Sequence, residues 1–86
     1  MLFDEFDREV FSGGQEIFRS GDAGDCAYLI EEGVVEILVM KEDGEHRIKL
    51  ISQGELFGEV SLIDYQPRTA TVRAIERRCW CLFHAN

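Results

Sequence analysis

Seven of the eight glycines, Gly13, Gly14, Gly21, Gly24, Gly33, Gly44 and Gly54, fall between short apolar runs. Glycine accepts the positive φ that tight turns demand, so this spacing breaks any long helix and sets a rhythm of short strands. The runs cover residues 15–19, 26–31, 34–41, 45–52, 69–74 and 79–83. They predict a mainly β fold, an antiparallel jelly-roll-like β-barrel or sandwich. Glu42-Asp43-Gly44-Glu45 lies between two β-rich runs, and its Asp-Gly pair suits a tight hairpin turn. Residues 34–41 are apolar at both parities, as in a strand covered on both faces. Ile48 and Leu50 alternate with Arg47 and Lys49, which predicts one buried and one wet face. The lead-in segment, residues 1–10, fits either a helix end or a strand.

A chain of 86 residues holds one small domain with one core, residues 1–86. Its 45% hydrophobic content suits a packed interior, and its net charge of -8 argues against a surface built for nucleic acid or anionic lipid. The acidity is uneven. After Gln66 come Arg68, Arg73, Arg77 and Arg78 against the single acid Glu76. Arg77-Arg78 reads as a solvated turn between strands. Cys26, Cys79 and Cys81 make an odd number without metal-type spacing, which favours a reduced, cytoplasmic compartment. Cys79 and Cys81 are expected on one face of one strand as small apolar side chains. No run approaches a membrane span, and the first residues lack a secretory signal.

The chemistry gathers after Gly58. A short helix over residues 59–63, ended by Asp64-Tyr65-Gln66-Pro67, would present unpaired backbone N–H groups at its first turn, where an anion is favoured. Arg68 follows Pro67, and its planar guanidinium can hold two oxygens of one phosphate. Glu59 would repel an anion unless it accepts from a donor, and a sugar hydroxyl is such a donor. The implied ligand carries both a phosphate and a free hydroxyl. Read without the arginine, Glu59 is equally a helix-start acid that suits the dipole.

Residues 57–63 (Phe57-Gly58-Glu59-Val60-Ser61-Leu62-Ile63) with Pro67-Arg68-Thr69-Ala70 resemble the phosphate-binding cassette of the cyclic nucleotide-binding domain family. Gly14-Gln15-Glu16-Ile17-Phe18, Gly21-Asp22-Ala23-Gly24-Asp25 with Ala27-Tyr28-Leu29-Ile30, Gly33-Val34-Val35-Glu36-Ile37 and Gly54-Glu55-Leu56-Phe57-Gly58 are similar to the family's earlier motifs, in order. The resemblance implies that Glu59 binds the ribose 2'-hydroxyl and Arg68 the cyclic phosphate. It implies that backbone groups at Gly58, Val60, Ser61 and Ala70 complete the phosphate cradle, with the Thr69 hydroxyl touching the phosphate. Ile48, Lys49 and Leu50 would lie near the purine. The ligand is then cAMP or cGMP, with no other cofactor. Thr69 alone does not choose the base; Lys49 is a weak substitute for a guanine-reading arginine, which favours cAMP.

The role implied is a regulatory module that relays binding allosterically to a fused effector domain or partner subunit, itself contacting no nucleic acid, with a second copy of the chain as an open partner. Family members usually continue into helices that cover the base, whereas this sequence ends at Asn86. A cover is therefore expected over the outer side of residues 79–83, from a continuation or another subunit. One alternative is a nucleotide-free assembly module of the same fold, against which an unmatched Glu59 and Arg68 would count. Another is a small cupin-like enzyme. It lacks the parts, since His46 and His84 are the only histidines, no cluster of metal ligands appears and no nucleophile has an activating context. The chain is expected not to be an enzyme.

Overall fold

The computed structural model describes residues 7–24, 26–59, 66–75 and 78–83. Eight strands run in order: β1 (Asp7–Ser12), β2 (Glu16–Phe18), β3 (Tyr28–Glu32), β4 (Val34–Lys41), β5 (Gly44–Ser52), β6 (Leu56–Phe57), β7 (Thr71–Ala74) and β8 (Arg78–Phe83). They form two four-stranded antiparallel sheets, β1-β8-β3-β6 and β2-β7-β4-β5. This is the expected jelly-roll-like sandwich. The lead-in segment resolves as an edge strand from Asp7 onward, paired with β8. Two-residue β6 carries too little periodic signal to be read from sequence. The expected helix at residues 59–63 falls, apart from Glu59, outside the described residues, as does Arg77 of the expected Arg77-Arg78 turn, while the exposed Arg78 opens β8.

Three turns share one local construction. In Ser12-Gly13-Gly14-Gln15, Arg19-Ser20-Gly21-Asp22 and Ser52-Gln53-Gly54-Glu55 the third residue is a glycine with φ of 90°, 95° and 86°. The fourth residue's amide donates to the first residue's carbonyl, and its side-chain oxygen accepts the first residue's N–H. Each turn so satisfies its own polar groups, which is why the chain reverses there. Gly33, at φ 108°, has a different reason. A Cβ there would fall 2.7 Å from the Arg78 carbonyl oxygen and 2.8 Å from Cys79 Cα. The β3–β4 connection lies directly against the β8 backbone.

Both sheets contribute to the core: Phe11, Ile30, Phe57, Cys79 and Cys81 from one, Val35, Ile51, Val72 and Ala74 from the other. Cys79 and Cys81 do share a face, with their sulfurs 3.7 Å apart. Burial, and then the neighbouring Cys79, push the Cys81 thiol well above its ordinary range, so it stays protonated and inert. The outer side of β8 has a partial cover within the chain, because the Arg8 guanidinium lies 5.0 Å from the Trp80 ring centre and bonds Glu31 at 2.6 Å.

β4 is buried or half-buried on both faces over residues 34–39, as its two-parity pattern predicts, with Met40 and Lys41 exposed at its end, but one outer position is charged. Glu36 accepts from Arg47 Nε at 3.1 Å and Arg73 Nε at 2.9 Å, and Arg73 reaches Glu45 at 3.4 Å. Burial acts to raise the Glu36 pKa, yet the two guanidiniums outweigh it and hold the carboxyl below its ordinary value. The hairpin joining β4 to β5 turns through Glu42 and Asp43, with Gly44 opening β5 at φ 120°. His46 sits just beyond it and contacts Asp43 at 2.5 Å.

The alternation expected for β5 is not what forms. Ile37 pairs with Lys49 and the next residue, Leu38, pairs with Arg47, so Ile48 is an extra residue in a β-bulge. The bulge resets the parity. Leu50 pairs with Glu36 on the ion-network face and is 47% exposed, while Ile48 is 59% exposed rather than buried. Only Ile51 of this strand enters the core.

Candidate functional site

A cavity of about 270 Å³ opens where the two sheets part. Its apolar walls come from Phe18, Ile37, Ile51, Leu56, Phe57 and Val72, and its polar end from Gly58, Glu59, Arg68, Thr69 and Ala70. The β5 bulge turns two consecutive residues, Ile48 and Lys49, onto the same wall, which a regular strand could not do. Seven of the ten residues singled out in the sequence therefore meet here: Ile48, Lys49, Gly58, Glu59, Arg68, Thr69 and Ala70. Leu50 is absent from the lining, because the bulge sends it to the opposite face of the sheet. Val60 and Ser61 lie outside the described residues.

Arg68 is the centre of the polar end. It is only 4% exposed, and no described carboxylate pairs with it. Its Nη1 donates to the Gly58 carbonyl and its Nη2 to the Cys26 carbonyl, each at 2.5 Å. One face of the guanidinium lies over the Phe18 ring, 4.1 Å from its centre. Nε is buried without a partner among the described residues. A guanidinium has five N–H donors, so the described residues use two and leave three. A buried cation held only by neutral groups is costly unless an anion joins it.

The main chain of Arg68 is fixed as firmly as its tip. Its N–H donates to the Asp22 carbonyl and its carbonyl accepts from the Gly21 N–H, both at 2.8 Å. The 19–22 turn thus docks residue 68 like a rung of sheet, and Ser20 N–H adds a bond to Thr71 Oγ1 at 3.1 Å. Gly58, at φ 84°, lets its carbonyl reach the guanidinium; a Cβ there would lie 2.8 Å from Nη1 and 3.3 Å from Phe18 Cε2.

Beneath the arginine is an aromatic cluster. Tyr28 stacks on Phe57 with centres 5.1 Å apart, and Phe18 meets both rings at 6.0 Å. Burial, and then the neighbouring Cys26, push the Tyr28 phenol far above its ordinary pKa, so the cluster brings no negative charge to the cation. Sequence reading had no handle on Phe18 or Tyr28 as site residues, because aromatics in strands read first as core. Their only signal is chain position, just before the 19–22 turn for Phe18.

The sequence matches the model of the cyclic nucleotide-binding domain over residues 8–85. It is 37% identical over 73 residues to the cAMP-dependent protein kinase type II regulatory subunit of Drosophila melanogaster, covering 85% of this chain and 19% of that protein. The regulatory domain of Toxoplasma gondii PKA, solved with cAMP, superposes with a TM-score of 0.87 at 31% identity, covering 95% of this chain and 32% of that one. The EAL enzyme Bd1971, solved in cAMP-bound and cGMP-bound forms, gives 0.85 at 42% identity, covering 92% of this chain and 21% of that one. The chain spans about a fifth of the length of the Drosophila protein. A matched profile across nearly the whole sequence, on a sandwich whose cavity gathers Glu59 and Arg68, establishes that the chain belongs to the cyclic nucleotide-binding domain family.

Proposed function

We propose that this chain is a non-catalytic regulatory module that binds a cyclic nucleotide, cAMP in preference to cGMP, and relays binding to an effector domain or partner subunit in the cytoplasm. The observation that carries the reading is Arg68: a buried guanidinium without a described carboxylate, with an unpartnered Nε, at the polar end of a largely apolar cavity. A cyclic phosphate would supply an anion to this guanidinium, and Glu59 on the same lining suits the ribose 2'-hydroxyl as an acceptor. The purine then lies toward Ile48 and Lys49. Lysine there offers a single flexible ammonium rather than the planar pair of donors that guanine recognition rewards, which favours cAMP.

The contact between Arg68 Nη1 and the Gly58 carbonyl supports the relay reading, because a ligand that draws on Arg68 also acts on the backbone at Gly58. Titration of the chain with cAMP, cGMP and 5'-AMP tests the reading directly. Both cyclic nucleotides are expected to bind, cAMP more tightly, and 5'-AMP far more weakly. Arg68→Lys should weaken cyclic nucleotide binding by about tenfold to a hundredfold, the worth of a charge-assisted contact. Unchanged affinity in that variant would sink the assignment.

A further inference from the structure

Among the described residues three neutral groups hold the guanidinium of Arg68, and two of them, the Gly58 and Cys26 carbonyls, grip its terminal nitrogens edge-on. Such edge bonds locate the nitrogens but leave the plane free to tilt about the line joining them. The third group, the Phe18 ring, lies against the face at 4.1 Å and removes that freedom. Phe18 is itself braced: its strand pairs with β7 at Val72, its ring meets Tyr28 and Phe57, and the place a Cβ would take at Gly58 lies 3.3 Å from its Cε2. A flexible aliphatic side chain would fill part of this space but give the cation no π face.

We infer that Phe18 is a positioning residue for anion binding: it sets the plane of the Arg68 guanidinium so that the remaining N–H groups face a phosphate oxygen pair. This rests on the cyclic nucleotide reading above. Because a guanidinium binds phosphate through two parallel N–H bonds, a tilted plane loses the second bond while the charge stays in place. The effect of Phe18 on the ligand therefore passes through Arg68, even though Phe18 also lines the cavity.

The experiment uses the whole chain and cAMP as probe, in wild type, Phe18→Tyr and Phe18→Leu, each with Arg68 and with Arg68→Gln. With Arg68 present, Phe18→Leu should weaken binding about 3- to 30-fold and Phe18→Tyr should restore nearly all of it. In the Arg68→Gln background the same Phe18→Leu change should have little effect. An equal loss in both backgrounds would show an ordinary apolar wall and overturn the inference, as would undiminished binding by Phe18→Leu.

A ligand-free readout separates this inference from the cyclic nucleotide reading. The proton NMR signal of Arg68 Nε–H should be shifted by the ring current in wild type and Phe18→Tyr, and should return to an ordinary position in Phe18→Leu. Absence of that difference overturns the placement of Phe18 whatever the ligand. If the difference is present but wild type binds no cyclic nucleotide, the ligand reading fails and the inference falls with it, leaving only the ring–guanidinium contact.

Discussion

The Gly58 carbonyl oxygen accepts from Arg68 Nη1 at 2.5 Å, and a Cβ on the same residue would sit 2.8 Å from that nitrogen. The backbone comes this close to the guanidinium because residue 58 has no side chain and holds φ at 84°. Gly58→Ala must therefore push the guanidinium away, and the strained φ adds about 1–2 kcal/mol. The guanidinium tip can move, so binding should suffer more than folding. We expect cAMP affinity to fall at least tenfold, read by calorimetry, with a smaller change in melting temperature.

Gly33→Ala makes the opposite prediction from the same chemistry. The atoms it meets, the Arg78 carbonyl and Cys79 Cα, are backbone of β8 and cannot swing aside. Strain and overpacking together should destabilise the fold by about 2–4 kcal/mol, a drop in melting temperature on the order of 10 °C or more. Affinity for cAMP in the fraction that remains folded should be nearly unchanged, since Gly33 is not part of the cavity lining.

Glu59→Gln tests the ribose contact. Glutamine keeps the size but weakens the acceptor, so cAMP should bind about tenfold less tightly while 2'-deoxy-cAMP, which lacks the donor, should lose little. Parallel titrations read the difference. Equal losses for the two ligands would assign Glu59 a structural role.

The Glu36 network predicts an acid-sensitive contribution to stability. Its folded-state pKa lies below the ordinary carboxylate value of 4.5, so the unfolded chain binds more protons in that range and stability rises with pH. The contribution is complete above the unfolded value and is lost as pH falls through the lowered folded value. Glu36→Gln should cost about 1.5–3 kcal/mol near neutrality and should flatten the acid limb of melting temperature against pH. Retention of the wild-type acid limb would remove Glu36 as its source.

Much of the fold was legible because turns are written locally. Gly14, Gly21 and Gly54 each mark the third place of a turn whose fourth residue, Gln15, Asp22 or Glu55, is polar enough to close it. Strands between such turns follow from apolar runs, and β4 came out at its full extent. Glu59, Arg68 and their neighbours stand close together in sequence, so their meeting on one cavity lining was legible too. Residues 48–50 were less so. Alternation grouped Ile48 with Leu50, and the bulge separated them onto opposite faces.

What the sequence by itself determined is most of the strands and turns, and Glu59 and Arg68 as the two charged candidates for one site, since each of these readings rests on residues close together in the chain. Only the tertiary structure decided what surrounds Arg68. Its main-chain clamp comes from Gly21 and Asp22, its edge bonds from Gly58 and Cys26, and its aromatic floor from Phe18, across sequence separations that carry no local pattern. Likewise the parity of β5 was settled by pairing with β4, because a strand's faces are defined by the neighbour it bonds to, and one extra residue in that pairing outweighs the alternation of its side chains.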